Sequence, residues 1–302
     1  MMVENIVPHI PVMLDEVIVN LAPKAGETYI DCTFGAGGYS RKILATSNCK
    51  LYAIDQDPSV IGYANELTQE YSLERFTFIN QNFANLVNIA KENNLNHVDG
   101  IVFDLGISSM QVDQAERGFS FNKEAKLDMR MSQTGLDAWE VVNTYSEEDL
   151  ADIIYYYGEE TFSRRIAKNI VHNRKLNPIN TTIELAKIIQ SSVKRKGKID
   201  PATKTFQAIR IYVNDELKVL KKTLIAAYNL LKLDGKLVIV SFQGLEDRII
   251  KDFIQLNPNL RAKASKPSLA EIRSNPRSRS AKLRTIIKKD LNILLDEARS
   301  NI

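Results

Sequence analysis

In "YIDCTFGAGGYS" (29–40) an apolar run ends in Gly35, Gly37 and Gly38, and Asp55 follows 20 residues after Gly35, closing "KLYAID" (50–55). A glycine turn after a strand lets a ligand approach the backbone closely. The start of the next helix offers N–H groups that no helical carbonyl can reach. An acid at the end of the second strand is placed to accept both hydroxyls of a ribose. A dinucleotide, a phosphate-bearing ligand and S-adenosylmethionine could each use such a turn. Ser40 stands where the dinucleotide pattern GxGxxG has its third glycine. That tilts the turn toward S-adenosylmethionine and leaves a nicotinamide cofactor open.

A second acid, Asp104, ends a later apolar run in "FDLGISSMQ" (103–111). Ligands of open α/β sheets lie beyond the carboxyl ends of the strands, so Asp104 stands where a reacting group belongs; the plainer alternative is a helix cap or a loop acid. The exocyclic amine of a nucleobase is a poor nucleophile because its lone pair is delocalised into the ring. An acceptor beside its N–H favours the pyramidal form and can take the proton after methyl transfer. The remaining task is to hold the amine in line with the methyl-bearing sulfur. "DLGISS" is not the (D/N)PPY tetrad of many amino-group methyltransferases.

The elements that must position these residues alternate. Strands are predicted at 28–33, 50–55, 76–80 and 98–106. Helices are predicted from about 38, from about Pro58 and over 83–93. Such βα alternation implies a parallel sheet with helices on both faces. Residues 110–205 hold helical patterns and no convincing strand: Phe162, Ile166 and Ile170 share one helical face, and Leu185, Ile188 and Ile189 another. A long amphipathic helix with Leu217, Leu220, Leu224 and Leu231 follows, ended by Asp234-Gly235, and "KLVIVSF" (236–242) returns as a buried strand. Weaker strand patterns near 260–264 and 282–288 fit an antiparallel edge pair.

Bulk properties exclude more than they assign. At 302 residues and 44% hydrophobic content the chain can fill one large α/β domain carrying an insertion. No apolar stretch is long enough to cross a bilayer, and the first residues do not read as a signal peptide, so the expected compartment is the cytoplasm. Cys32 and Cys49 suggest no disulfide framework, and His9, His97 and His172 are too scattered for a metal site, so no metal is expected. The net charge is only +3, yet residues 261–289 carry ten Lys or Arg against one acid, Glu271. Lesser basic clusters are "KRKGK" (194–198) and Arg164, Arg165 and Lys168. These patches suit phosphates, with a solvated basic face as the bland alternative. Phe119 and Phe121 divide evenly between base stacking and core packing. Trp139 and "YYY" (155–157) read better as packing.

Taken in order, nine segments resemble one family. They are "HIPVMLDEV" (9–17), "YIDCTFGAGGYS" (29–40), "AIDQDP" (53–58), "FDLGISSMQVD" (103–113), "RGFSF" (117–121), "LDMRM" (127–131), "TFQAIRIYVNDEL" (205–217), "SFQGLEDRIIK" (241–251) and "NPRSRSAKLR" (275–284). The family is that of the RsmH (MraW) small-subunit ribosomal RNA cytosine-N4 methyltransferases, and the resemblance spans nearly the whole chain. It implies an α/β fold, a Rossmann-like class I S-adenosylmethionine-dependent methyltransferase sheet with an inserted all-helical domain. The sheet domain would take residues 1–110 and 206–302, and residues 111–205 would form a helical insertion for RNA recognition. The resemblance also implies methylation of N4 of a cytidine, conventionally position 1402, in the decoding region of 16S rRNA. S-adenosyl-L-methionine would be the cofactor, and the small ribosomal subunit the partner, with no membrane involved; a monomer and a dimer both fit.

Carried over residue by residue, the resemblance assigns cofactor contacts to Gly37, Gly38, Tyr39, Asp55, Phe83, Asp104 and Gln111. Asp104 is also the catalytic candidate, and Arg273, Arg277, Arg279, Lys282 and Arg284 are the candidate RNA contacts. Three positions depart from the family pattern: Tyr39 replaces a histidine, Gln243 and Gly244 replace His-Ser in "SFHSLEDR", and Tyr212 replaces a glutamate. Two other readings compete with this one. A nicotinamide-dependent oxidoreductase explains Gly35 and Asp55 but not the basic tail. A non-catalytic ribosome- or RNA-binding protein that kept the fold is motivated by the departures.

Overall fold

Short apolar runs bounded by turn residues form the strands of one sheet. The structure is a computed structural model that describes residues 11–193 and 200–291. It opens with helix α1 (Leu14–Leu21) and alternates through β1 (Thr28–Asp31), α2 (Gly38–Thr46), β2 (Lys50–Ile54), α3 (Ile61–Arg75), β3 (Phe76–Ile79), α4 (Leu86–Glu92) and β4 (Val98–Asp104). A run of helices follows: α5 (Ser109–Asp113), α6 (Ala138–Thr144), α7 (Glu147–Gly158), α8 (Ser163–Arg174), α9 (Thr182–Ser192) and α10 (Ala202–Val213). The chain then continues through α11 (Glu216–Leu230), β5 (Leu231–Ser241), α12 (Gly244–Leu256), β6 (Leu260–Ser265), α13 (Leu269–Ser274) and β7 (Lys282–Lys288).

The strand order is β3-β2-β1-β4-β5-β7-β6. The first five strands run parallel, and β7 is antiparallel to both β5 and β6. From β1 the chain winds outward through β2 and β3, then returns to add β4 on β1's other side. The order therefore reverses between β1 and β4, the crevice where open α/β sheets bind ligands. Ile30, Ile54, Ile101, Phe103 and Ile239 from the strands pack with Leu220, Leu224, Ile250 and Phe253 from α11 and α12. The weak tail strands form the expected antiparallel edge, and Arg261 and Lys263 are exposed on β6. Charge on an outermost strand discourages pairing with other chains. Asp234-Gly235 does not end a helix: α11 stops at Leu230, and Leu231 already pairs with Val98 before the ladder resumes at Lys236 and Gly100. Asp234, at φ 60°, lies in that irregular stretch.

The chain divides into two compact units, one built from residues up to Gly106 with those from Lys218 on, the other from Ile107–Leu217. The boundary expected at 205/206 thus falls at 217/218, because α10 contributes Phe206, Ala208 and Ile209 to the helical core. That core also takes Leu150 and Ile154, Ile166 and Ile170, and Leu185 and Ile189. Phe162 departs from its predicted face: it precedes α8 and is exposed. Phe119 is core, and Phe121 packs edge-on against Phe206 at 5.3 Å between ring centroids. Trp139 is 40% exposed, its indole N–H donating to Asn180, and Tyr155 and Tyr156 are exposed rather than packed. His9 and the basic run 194–198 lie outside the described residues.

Gly118 fixes the loop through "RGFSF". Its φ is 72°, and a Cβ there would lie 2.4 Å from the Lys126 carbonyl oxygen. Gly62, in the first turn of α3, has nothing within 4 Å of the equivalent position. Gly118→Ala is expected to lower the unfolding free energy by about 2 kcal/mol or more, and Gly62→Ala to raise it by about 0.5 kcal/mol. Urea unfolding of the two variants checks both signs.

Candidate cofactor and active site

The turn after β1 is sewn to its neighbours on both sides. Cys32 N–H donates to the Val102 carbonyl and Phe34 N–H to that of Ile54. Gly35 (φ 53°) and Gly37 (φ 79°) take left-handed backbone conformations, and Gly37 caps α2. A Cβ on Gly37 would lie 2.9 Å from the Phe34 ring, and one on Gly38 2.1 Å from Pro11. Both positions therefore need glycine for the backbone to keep this path. The N–H groups of Gly38 and Tyr39, at the start of α2, have no intrahelical acceptor and are available to a ligand. The Tyr39 side chain is buried, and its hydroxyl donates to the Val12 carbonyl. Tyrosine in place of the family's histidine therefore ties down the segment before α1, and what this residue can offer a ligand is its backbone.

Carboxylates stand at successive strand ends. Asp31, wholly buried at the end of β1, accepts from the Ser40 hydroxyl at 2.7 Å and from Thr33 N–H at 3.1 Å. Burial outweighs these bonds and raises its pKa to about 6. Asp55, just past β2, accepts from Gly35 N–H at 2.8 Å and Asp57 N–H at 2.9 Å, one on each oxygen. Each oxygen keeps a further lone pair, the number a ribose diol requires. Burial pushes Asp55 to about 6 as well.

Asp104 closes β4. Its N–H donates to the Thr33 hydroxyl at 2.7 Å, which fixes the strand end against the glycine turn. Its Oδ1 is buried without a hydrogen-bond partner. Burial, then the nearby charges of Asp31 and Glu246, push it to about 8. Glu246, in the first turn of α12, is buried and accepts from the N–H groups of Phe242 (2.9 Å) and Gln243 (3.1 Å). The Gln243 Oε1 is a further buried acceptor without a partner. Asp31 and Asp104 have no ion-pair partner among the described residues. A site of buried acids lacking cations suits a cationic ligand, and the sulfonium of S-adenosylmethionine is one.

Phe83 follows β3, half-buried, edge-on to Phe103 at 5.6 Å between centroids. Asn80 and Asn82 tie its loop to the Asp55 carbonyl and the Gln56 side chain. Gln111 belongs to the helical unit, where its Oε1 accepts from Ser108 N–H at 3.0 Å and closes a capping box on α5. Arg273, Arg277 and Arg279 are exposed. Lys282 and Arg284 instead pair with Asp247, each at 2.7 Å, and Arg284 is buried. Asp31, Thr33 and Glu246 escaped the reading of the sequence, as did the bond that Ser40 gives Asp31. Asp31 and Thr33 lie inside the glycine motif, where attention to the glycines hid them. Among the described residues no cluster could hold a metal ion, and no helix is long and apolar enough to cross a membrane.

A glycine turn at the switch point of a five-strand parallel run, an acid after β2 and an antiparallel pair on the far edge define a Rossmann-like, S-adenosylmethionine-dependent methyltransferase. The chain belongs to the MraW methylase family, whose model matches residues 6–289. It is 54% identical over 300 residues to the ribosomal RNA small subunit methyltransferase H of Rickettsia canadensis, with 91% of this chain and 96% of the relative covered. It is also 54% identical over 301 residues to the protein of that name from Rickettsia akari, with 92% and 97% covered.

Asp55→Ala removes the acceptor that holds both Gly35 and Asp57. Loss of these charge-assisted bonds, and of a carboxylate placed to accept from a ribose, is expected to weaken S-adenosylmethionine binding by about tenfold or more. Titration calorimetry, with circular dichroism as the check on folding, reads the change.

Proposed function

We propose that this methyltransferase transfers a methyl group from S-adenosylmethionine to N4 of a cytidine in the decoding region of 16S rRNA, conventionally position 1402. The observation that carries the reading is the buried, unpartnered Oδ1 of Asp104 beside the glycine turn. Gly37, Gly38 and Tyr39 hold the cofactor through their backbone, Asp55 takes its ribose, and Phe83 flanks its adenine. Gln111 is a further contact. The bound cofactor supplies an electrophilic methyl group. Asp104 accepts an N–H of the target amine, holds the nitrogen in line with that methyl group and receives the proton as the N–C bond forms. The small-subunit ribosomal RNA named for the relatives supports the substrate, and the enzyme works in the cytoplasm.

The target cytosine must leave its stack to reach the cofactor, and phosphate contacts hold the flanking strand. Arg273, Arg277 and Arg279 serve that role, with Arg261, Lys263 and Lys266, all exposed. The helical unit, residues 107–217, recognises the RNA and offers exposed Tyr155, Tyr156 and Trp139 for stacking.

Small subunits from a strain lacking this gene, incubated with the enzyme and methyl-labelled S-adenosylmethionine, should yield labelled N4-methylcytidine on nucleoside mass analysis. Tight particle binding without label would favour a non-catalytic binding protein. Asp104→Ala should abolish transfer while particle binding persists. Replacing Arg273, Arg277 and Arg279 together by Ala should lower the slope of log affinity against log salt by about 2, at roughly 0.7 per lost phosphate contact on single-stranded RNA.

A further inference from the structure

Among the described residues, the charged groups that act on Asp104 are acids. Asp31 approaches from the end of β1, Glu246 from α12 and the phenolic Tyr39 from α2, while Thr33 gives the Asp104 backbone a neutral acceptor. Glu16 and Glu271, which lie near Tyr39, are acids too. Asp31 accepts from the Ser40 hydroxyl and the Thr33 backbone N–H, and Glu246 accepts from the backbone N–H groups of Phe242 and Gln243 among its contacts. Asp104 Oδ1 has none. A carboxylate in such a place is unfavourable as an anion unless a cation arrives with the ligand.

We propose that Asp104 rests as a neutral carboxylic acid and gives up its proton when the sulfonium-bearing cofactor binds, so that it distinguishes the charged cofactor from the neutral thioether product. The inference rests on the cofactor reading above and adds a proton cycle to it. S-adenosylmethionine and S-adenosylhomocysteine carry the same α-ammonium and α-carboxylate and differ in the methyl group and the charge on sulfur. Binding of the first exchanges a proton on Asp104 for a sulfonium; binding of the second does not.

Methyl transfer then closes the cycle. The N–CH3 bond forms as the S–CH3 bond breaks, and the electron pair stays on sulfur, which becomes neutral. The nitrogen loses one N–H bond, and that proton forms the O–H bond of Asp104. The site begins the step with one positive and one negative charge and ends it with neither. The product leaves from a site already back in its resting protonation state, with no anion to hold it.

Burial and the neighbouring acids place the titration of Asp104 at about 8, so at pH 7 most of the unliganded protein carries the proton. The sign follows: the form competent to pair with a sulfonium grows as pH rises. Between pH 7 and pH 8 the affinity for S-adenosylmethionine should rise about fivefold relative to that for S-adenosylhomocysteine, following the ionised fraction of one group.

The test is titration calorimetry of the full chain at pH 7 in two buffers of different ionisation enthalpy, with each ligand in turn. The expected result is that S-adenosylmethionine releases close to one proton more than S-adenosylhomocysteine, and that Asp104→Asn abolishes the difference while still binding the thioether. Equal proton release by the two ligands in the unaltered protein overturns the proposal and leaves the cofactor reading intact. A difference that survives in Asp104→Asn assigns the proton to another acid and overturns it too. Failure of both ligands to bind defeats the cofactor reading and the proposal together. Should the variant fail to fold, the affinity ratio of the unaltered protein between pH 7 and pH 8 decides by itself.

Discussion

The hydrogen bond from Ser40 to Asp31 joins the first turn of α2 to the end of β1, and the geometry of the site depends on it. It is 2.7 Å long and wholly buried. It anchors the end of the glycine turn; Gly35 on Asp55 and Thr33 beneath the Asp104 N–H anchor the turn at two further points. Asp31 spends its oxygens on Ser40 and Thr33 and so fixes how far the α2 N-terminus stands from the strand ends. The arrangement has a cost. Three strand ends contribute acids to one buried place, and the hydrogen bonds that steady Asp31 and Asp55 are outweighed by desolvation.

Glu246 and Asp247 are neighbours in sequence with opposite surroundings. Asp247 meets Lys251, Lys282 and Arg284, which hold its carboxyl well below the usual range and bind α12 to β7. A depressed acid lends stability that is present above its unfolded pKa and lost as pH falls through its folded one. Asp104 behaves in the reverse sense. Its native form keeps a proton that the unfolded chain sheds near pH 4, so its contribution falls as pH rises from there toward 8. One end of the sheet is thus neutralised by its own cations, while the crevice at the switch point is left for a ligand to neutralise.

Much of this fold was legible because strands and glycine turns leave local marks. The apolar runs, the antiparallel tail pair and the glycines at 35, 37 and 38 follow from local pattern and spacing. What was not legible depends on partners distant in sequence. Lys282 and Arg284 read as part of a basic patch until Asp247, 35 and 37 residues away, is seen to take them. Lys288 likewise spends its ammonium on the Tyr228 and Leu231 carbonyls, and Lys289 on Asp234. Tyr155 and Tyr156 read as packing because aromatic residues usually bury, yet α7 turns them outward. Phe162 fits the periodicity of α8 but precedes its first turn, where the helical face no longer governs.

The departures from the family pattern become intelligible in the same terms. Tyr39 fits the glycine motif because its phenol turns away to reach the Val12 carbonyl, leaving its backbone in the first turn of α2. Gln243 follows β5, the strand that pairs Asp104 with Val240. A histidine in that position could carry a proton and bring a cation to this end of the sheet; a glutamine amide cannot. Relative to the family pattern, the substitution removes a source of positive charge from the carboxyl ends of the parallel strands. Asp31 and Glu246, when ionised, add to burial in holding the proton on Asp104. A sulfonium bound beside Asp104 would make cofactor binding and the readiness of that carboxylate to take a proton from the amine one electrostatic event.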